Sequence, residues 1–294
     1  MKTGNNDWLP SGGGVELTTL FGLYFLGFFF GAAAISIFLG GEALDSVYNI
    51  RGANIIQAIF LFLIPTTIYC ALFADKHGSF LVKHSIDIRT LLLGALALFA
   101  ILPFVEAVNY YNELIPLPEK LAEIAKRSLE ANQKAYNILF NEKTITNIGA
   151  NLLTIAILPA VLEELFFRGC LQRSVSKLTN NSHAAIWITA LIFSLLHFQL
   201  TGFFPRIILG ALLGYLYLWT KNIWVPIVVH AINNATVILV VQLFAETEFY
   251  KKTQITDYSL GNAWLATLIS LFLTVGLMLL IYKLKPKEIP DQES

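Results

Sequence analysis

Long charge-free stretches alternate with short polar ones along this chain. Residues 17–41, 52–74, 144–162, 178–205, 222–245 and 258–282 contain no Asp, Glu, Lys or Arg. Each approaches or exceeds the roughly 18–20 apolar residues a helix needs to cross a bilayer. Two weaker stretches join them: residues 90–110, with Glu106 near one end, and residues 204–220, shortened by Arg206. The pattern predicts an all-α, polytopic membrane protein with about eight transmembrane helices. Residues 111–147, between helices three and four, are polar. Leu121, Ile124, Leu129 and Tyr136 recur there among Glu, Lys and Arg. That predicts an amphipathic helix lying on the outer membrane surface or capping the bundle. The first apolar run follows fourteen polar, Gly-rich residues and exceeds a signal-peptide core, so an uncleaved first helix is expected.

Composition agrees with the pattern. Charged residues make up 14% of the chain and hydrophobic ones 56%, against about a quarter charged in soluble proteins. The formal net charge is zero, which offers no basic surface for nucleic acid. The expected partners are the lipid bilayer and a peptide or membrane-protein substrate. Cys70 and Cys170 fall within or beside apolar runs, with no CxxC pattern, so neither a disulfide framework nor a cysteine metal site is expected. Lysines and arginines concentrate on the side holding the N-terminus, the loops near 75–89, 169–182 and 221, and the tail. The positive-inside rule then makes both termini cytoplasmic in the cell membrane. Three regions are expected: 1–144 with three helices and the amphipathic connection, 145–245 as a core of four helices, and 246–294 with the last helix. Within the core, Gly210 and Gly214 form a G-x-x-x-G pair suited to close helix packing.

Ionisable residues at membrane depth are expensive and mark functional sites. The stretch EELFFR, residues 163–168, places three of them at the end of an apolar run. Glu164 and Arg168 are four apart on one helix face, acid first, and can neutralise each other. Glu163 points about 100° away and has no such partner on its own helix. Two of five histidines lie in apolar runs. His197 follows Phe193 by four residues, which lets the phenyl ring hold the imidazole. His230 precedes Asn234 by four, with Asn233 beside it. Ser194 points to a different face from His197 and is a poor nucleophile candidate. His77 and His84 read as solvated loop residues, and His183 as a helix-boundary residue. Pro159 and Pro226 each stand four residues before one of these polar groups. Each either loosens the helix there or, for Pro226, simply starts one.

This set supports hydrolysis in two ways. A carboxylate with a histidine can deprotonate water for attack on a carbonyl, while His230 and Asn234 donate hydrogen bonds to the oxyanion. Alternatively Glu163, His197 and His230 hold a divalent metal such as zinc, with water in the open position.

The motifs E-E-x-x-x-R (EELFFR), F-x-x-x-H (FSLLH) and H-x-x-x-N (HAINN), in this order on successive apolar helices, resemble the CPBP family. That family comprises type II CAAX prenyl endopeptidases and bacteriocin-processing proteins, also called Abi proteins. The resemblance covers about residues 145–245. It implies an eight-helix intramembrane protease whose cavity opens to the cytosol. Glu163 would activate water with His197, His230 and Asn234 would act on the oxyanion side, and Glu164, Arg168 and Phe193 would support them. Two rivals stand beside it: a non-catalytic immunity or scaffold protein of the same fold, and a transporter using Glu163 and the histidines as a proton relay. A transporter would be expected to show paired halves, which this sequence lacks. One tension accompanies the hydrolase reading. Counted from helix ends, Glu163 and His230 sit in the cytoplasmic half, but His197 sits near the outer end of helix five. A helix that starts later than Ala184, or tilts, would bring the groups level.

Overall fold

The computed structural model describes residues 12–40, 42–73, 84–244, 247 and 262–286. His77, the N-terminal polar segment and the start of the last expected span lie outside them. The described residues form helices α1 (Gly13–Leu39), α2 (Val47–Phe73), α3 (Ile88–Glu113), α4 (Glu119–Phe140), α5 (Ile145–Thr179), α6 (Ser182–Leu195), α7 (Phe203–Thr220), α8 (Trp224–Phe244) and α9 (Asn262–Lys283). There is no strand among them. Seven of these helices, all except α4 and α6, are long and apolar enough to cross a membrane. Large apolar side chains are exposed along them, including Phe29 at 68%, Ile37 at 82% and Phe272 at 72%. In water such a surface would be an aggregation liability; facing lipid tails it costs little. The protein is a multi-pass, all-helical membrane protein.

Two groups of helices build the core. Leu20 and Tyr24 of α1 and Leu61 and Tyr69 of α2 pack on Phe166, Phe167 and Cys170 of α5. Leu98 of α3, Leu213 and Leu216 of α7, Val229 of α8 and Met278 and Ile281 of α9 form the second cluster. Polar pins hold the helices in register. Glu16 accepts from Lys177 (2.6 Å) and from the Tyr69 hydroxyl (2.7 Å), which ties α1, α2 and α5 together. Pro103 interrupts α3, and a serine of α9 repairs the break: Ser270 Oγ donates to the Ala100 carbonyl and accepts from the Phe104 N–H. A hydroxyl inserted in this way keeps backbone groups satisfied where lipid offers no partner.

Two expectations need correcting. The run 178–205 is not one continuous helix. Its helix, α6, has 14 residues, about 21 Å at 1.5 Å per residue. The cause lies in His197 itself. Its Nδ1–H donates to the Phe193 carbonyl at 2.7 Å, the acceptor that the backbone N–H of residue 197 would use in a continuing helix. That N–H turns to Ser194 instead, and Phe198 takes a left-handed φ of 51°, an uncommon state for a bulky residue. The other correction concerns the loop expected at 169–182. The chain stays helical to Thr179, so EELFFR lies within a 35-residue helix rather than at the end of one.

The amphipathic connection is present as α4. Its C-terminal end is fastened below the surface. Arg51 of α2 donates to the Asn147 carbonyl and Oδ1 and to Asn151 Oδ1, at 2.5–3.2 Å. The amides of Asn147 and Asn151 donate to the Leu139 carbonyl at the end of α4, and Gln242 of α8 donates to the Glu142 carbonyl. Arg51, expected as a loop charge, is thus an interior anchor.

Candidate active site

Helix α5 changes its winding around the paired glutamates. Wide π turns cover Leu152–Ile157 and Leu165–Leu171, with a short α segment, Leu158–Glu164, between them. Pro159 lies at the junction, where its missing N–H breaks the ordinary ladder. Pro226 sits in the first turn of α8, where no intrahelical bond is lost. The helix-starting reading holds for Pro226 and the loosening reading for Pro159.

The two glutamates have separate environments. Glu164 and Arg168 are both 0% exposed. Arg168 Nη1 donates to Glu164 Oε1 at 2.9 Å, and Nη2 donates to the Gly210 carbonyl of α7 at 2.8 Å. The guanidinium also lies 5.4 Å from the centre of the Phe193 ring. Gly210 carries no side chain, and a Cβ there would stand 3.2 Å from that of Ala190 on α6, so the G-x-x-x-G pair does bring helices close. Glu164 Oε1 takes a second bond, from His230 Nδ1 at 2.8 Å. Glu163 faces the other way. It accepts no hydrogen bond from the described residues, and its nearest charged contact is His230 Nε2, 3.9 Å from Oε2.

The imidazoles are oriented by what their Nδ1 atoms touch. A carboxylate oxygen and a backbone carbonyl can only accept, so Nδ1 carries the proton in both His230 and His197. In the neutral ring each Nε2 is then a bare lone pair. An oxyanion contact from His230 therefore requires the imidazolium. Asn234 needs no such change: its Oδ1 accepts from Asn233, which leaves its amide N–H groups available. Phe193 stands edge-on to His197, with ring centres 4.7 Å apart, as the four-residue spacing implied.

Glu163, Phe193, His197, His230 and Asn234 all line one cavity of about 310 Å³. The early end of α6 and the level of His197 are therefore compatible: α6 starts at Ser182, before Ala184, and its shortness replaces the late start or tilt. A second, more polar cavity of about 490 Å³ shares Pro159, Glu163 and His197 and adds Asn54, Gln57, Ser128 and Asn132. Helix α4 roofs both, through Tyr136 and Phe140 over one and Ser128 and Asn132 over the other. That roof lies at the end of the bundle opposite the start of α1. Ser194 donates to the Phe203 carbonyl and lines neither cavity.

Among the described residues no three of His, Cys, Asp and Glu come together around one point, Glu163, His197 and His230 included. Two cavity residues were not singled out as chemistry from the sequence. In the sequence Arg206 stands only as a charge that shortens a span, and Tyr136 as one position of an amphipathic stripe. Arg206 joins the cavity and binds Gln199 of the turn after His197, through Nη1 to Oε1 and Nη2 to the carbonyl. A lone charge inside the apolar run 178–220 was the available signal.

Residues 146–236 match the family described as Type II CAAX prenyl endopeptidase Rce1-like, and the three motifs fall within that segment. Among curated proteins, the chain is 33% identical over 101 residues to "Uncharacterized protein YpbD" of Bacillus subtilis (strain 168), covering 33% of this chain and 47% of the relative. It is 32% identical over 84 residues to "Putative membrane peptidase YdiL" of the same organism, covering 29% and 34%. The chain thus spans less than half the length of either relative. No solved structure matches. Residues 146–236, about a third of the chain, are thus similar to the Rce1-like family of type II CAAX prenyl endopeptidases.

Proposed function

We propose that this protein is an intramembrane endopeptidase that hydrolyses a peptide bond with water activated by Glu163. The observation that carries the reading is the single cavity that gathers Glu163, His197, His230 and Asn234 from three separate helical segments. The family match and the relative named as a membrane peptidase support it. Glu163 is free to take the proton of a water because Glu164 alone answers Arg168. His197, with Nε2 bare, shares that proton and returns it to the departing amine. As the carbonyl oxygen gains charge, the Asn234 amide donates to it. His230 joins as a donor in its imidazolium form, held in place by the Glu164 carboxylate behind it. The positive-inside count supports a cell-membrane location with cytoplasmic termini.

The test compares wild type with Glu163→Gln, purified in detergent and reconstituted, on a library of membrane-anchored peptides read by mass spectrometry. A general base contributes about 10²–10⁴-fold, so the variant should lose at least about a hundredfold in cleavage rate. Undiminished cleavage refutes the role of Glu163; no cleavage by wild type on any peptide refutes the hydrolase.

A further inference from the structure

The cavity contains a cation, Arg206, whose charge no described residue balances. Arg206 has no ion-pair partner among the described residues, and its two hydrogen bonds go to neutral oxygens of Gln199. Its Nε is buried with no partner at all. The guanidinium lies over Gly202, where a Cβ would stand 3.2 Å from Nη1. Around it the cavity wall is largely apolar, with Leu209, Leu212 and Leu213 from its own helix. Arg168, the other arginine beside this site, is matched by Glu164. A half-buried guanidinium without a counter-charge is costly to keep. Bracing one glutamine does not require a charge, since a neutral donor would serve.

We propose that Arg206 receives a carboxylate of the substrate, so that the scissile bond is chosen by its distance from an anionic group. The inference rests on the hydrolase reading for its context. Its chemistry follows from the fork of N–H donors, which suits a planar, two-oxygen acceptor better than any single carbonyl. The carboxylate comes from either a free C-terminus or an Asp or Glu side chain. Binding it inside an apolar wall makes the pairing strong, while an uncharged analogue leaves the cation uncompensated.

The experiment uses matched peptides: free against amidated C-termini, and Asp or Glu against Asn or Gln within the same sequence. Cleavage is followed with wild type, Arg206→Lys and Arg206→Gln. Binding of the same peptides is followed with Glu163→Gln protein, with and without Arg206→Gln. Wild type should show KM raised about tenfold or more for whichever peptide lacks the recognised carboxylate, with kcat changed little. Arg206→Gln should treat the paired peptides alike, and Arg206→Lys should retain part of the preference. The sensitive peptide pair identifies the source of the carboxylate. The binding arm does not need turnover, so a failed hydrolase reading leaves the carboxylate preference measurable. Equal handling of all pairs by wild type overturns the proposal. So does an equal loss on every peptide in Arg206→Gln, which assigns the arginine to bracing the His197 turn. Equal handling with displacement by phosphatidylglycerol overturns it in favour of a lipid phosphate.

Discussion

Replacing Glu164 by alanine should cost far more stability than replacing Glu163, although the two are adjacent. Both Glu164 and Arg168 are fully buried, so removing the acid strands a guanidinium that keeps only the Gly210 carbonyl and the face of Phe193. Breaking a buried pair on one side costs about 3–5 kcal/mol. His230 also loses the acceptor of its Nδ1–H, a further contribution of about 1 kcal/mol. Glu163 gives up no hydrogen bond and its side chain is 14% exposed; Glu163→Gln should change stability by under about 1 kcal/mol. For a chain of this size each kcal/mol moves Tm by about 2–4 °C. Glu164→Ala should thus melt roughly 8–24 °C lower in detergent, by the same conversion, while Glu163→Gln melts near wild type. Differential scanning fluorimetry on the purified proteins reads both. The double variant Glu164→Leu with Arg168→Met removes both charges and should regain at least half of the loss. Equal melting of Glu164→Ala and wild type, or a double variant worse than the single one, would refute the account of this pair.

Three further outcomes follow from packing and topology. At Gly27 of α1 an added Cβ would stand 2.0 Å from the Phe60 carbonyl oxygen, a backbone atom, whereas at Gly210 it meets the Ala190 Cβ at 3.2 Å. Gly27→Ala should therefore lower Tm more than Gly210→Ala, by an overpacking cost of about 1–3 kcal/mol. Arg51→Met leaves the buried Asn147 and Asn151 side-chain oxygens short of a donor, at about 1–3 kcal/mol each. Limited trypsin digestion should then cut α4 faster at its lysines. A cysteine at the exposed position Glu130 should react with a membrane-impermeant maleimide added outside intact cells. Labelling only after permeabilisation would reverse the orientation.

The sequence made the chemistry easier to see than the geometry. Charge-free runs exposed the spans because lipid tolerates few ions, and the four-residue spacings paired Glu164 with Arg168 and Phe193 with His197. Helix length was harder to see. Nothing in the composition of 178–205 distinguishes a full span from a short helix, because the stop comes from one imidazole competing for a carbonyl. The π turns of α5 were hidden for a related reason: they depend on how Pro159 and the neighbouring helices share backbone bonds. The tie between Glu164 and His230 joins residues 66 positions apart, and no local pattern reports such a contact. Arg206 is visible in the sequence, but a charge near a helix end usually marks a boundary, so its place in the cavity is not.

The brevity of α6 has a bearing on the surrounding lipid. Trp187, Leu191 and Leu195 stand half-exposed along it, so acyl chains meet a column about 21 Å tall where neighbouring columns are taller. A bilayer matched to the longer neighbouring helices would have to thin or splay beside His197. Such a dent would shorten the route by which bulk water reaches the interior, so that under the proposed hydrolase function acyl-chain length would control turnover. In thicker bilayers the dent costs more to maintain, and catalysis should slow there without any change in the protein itself.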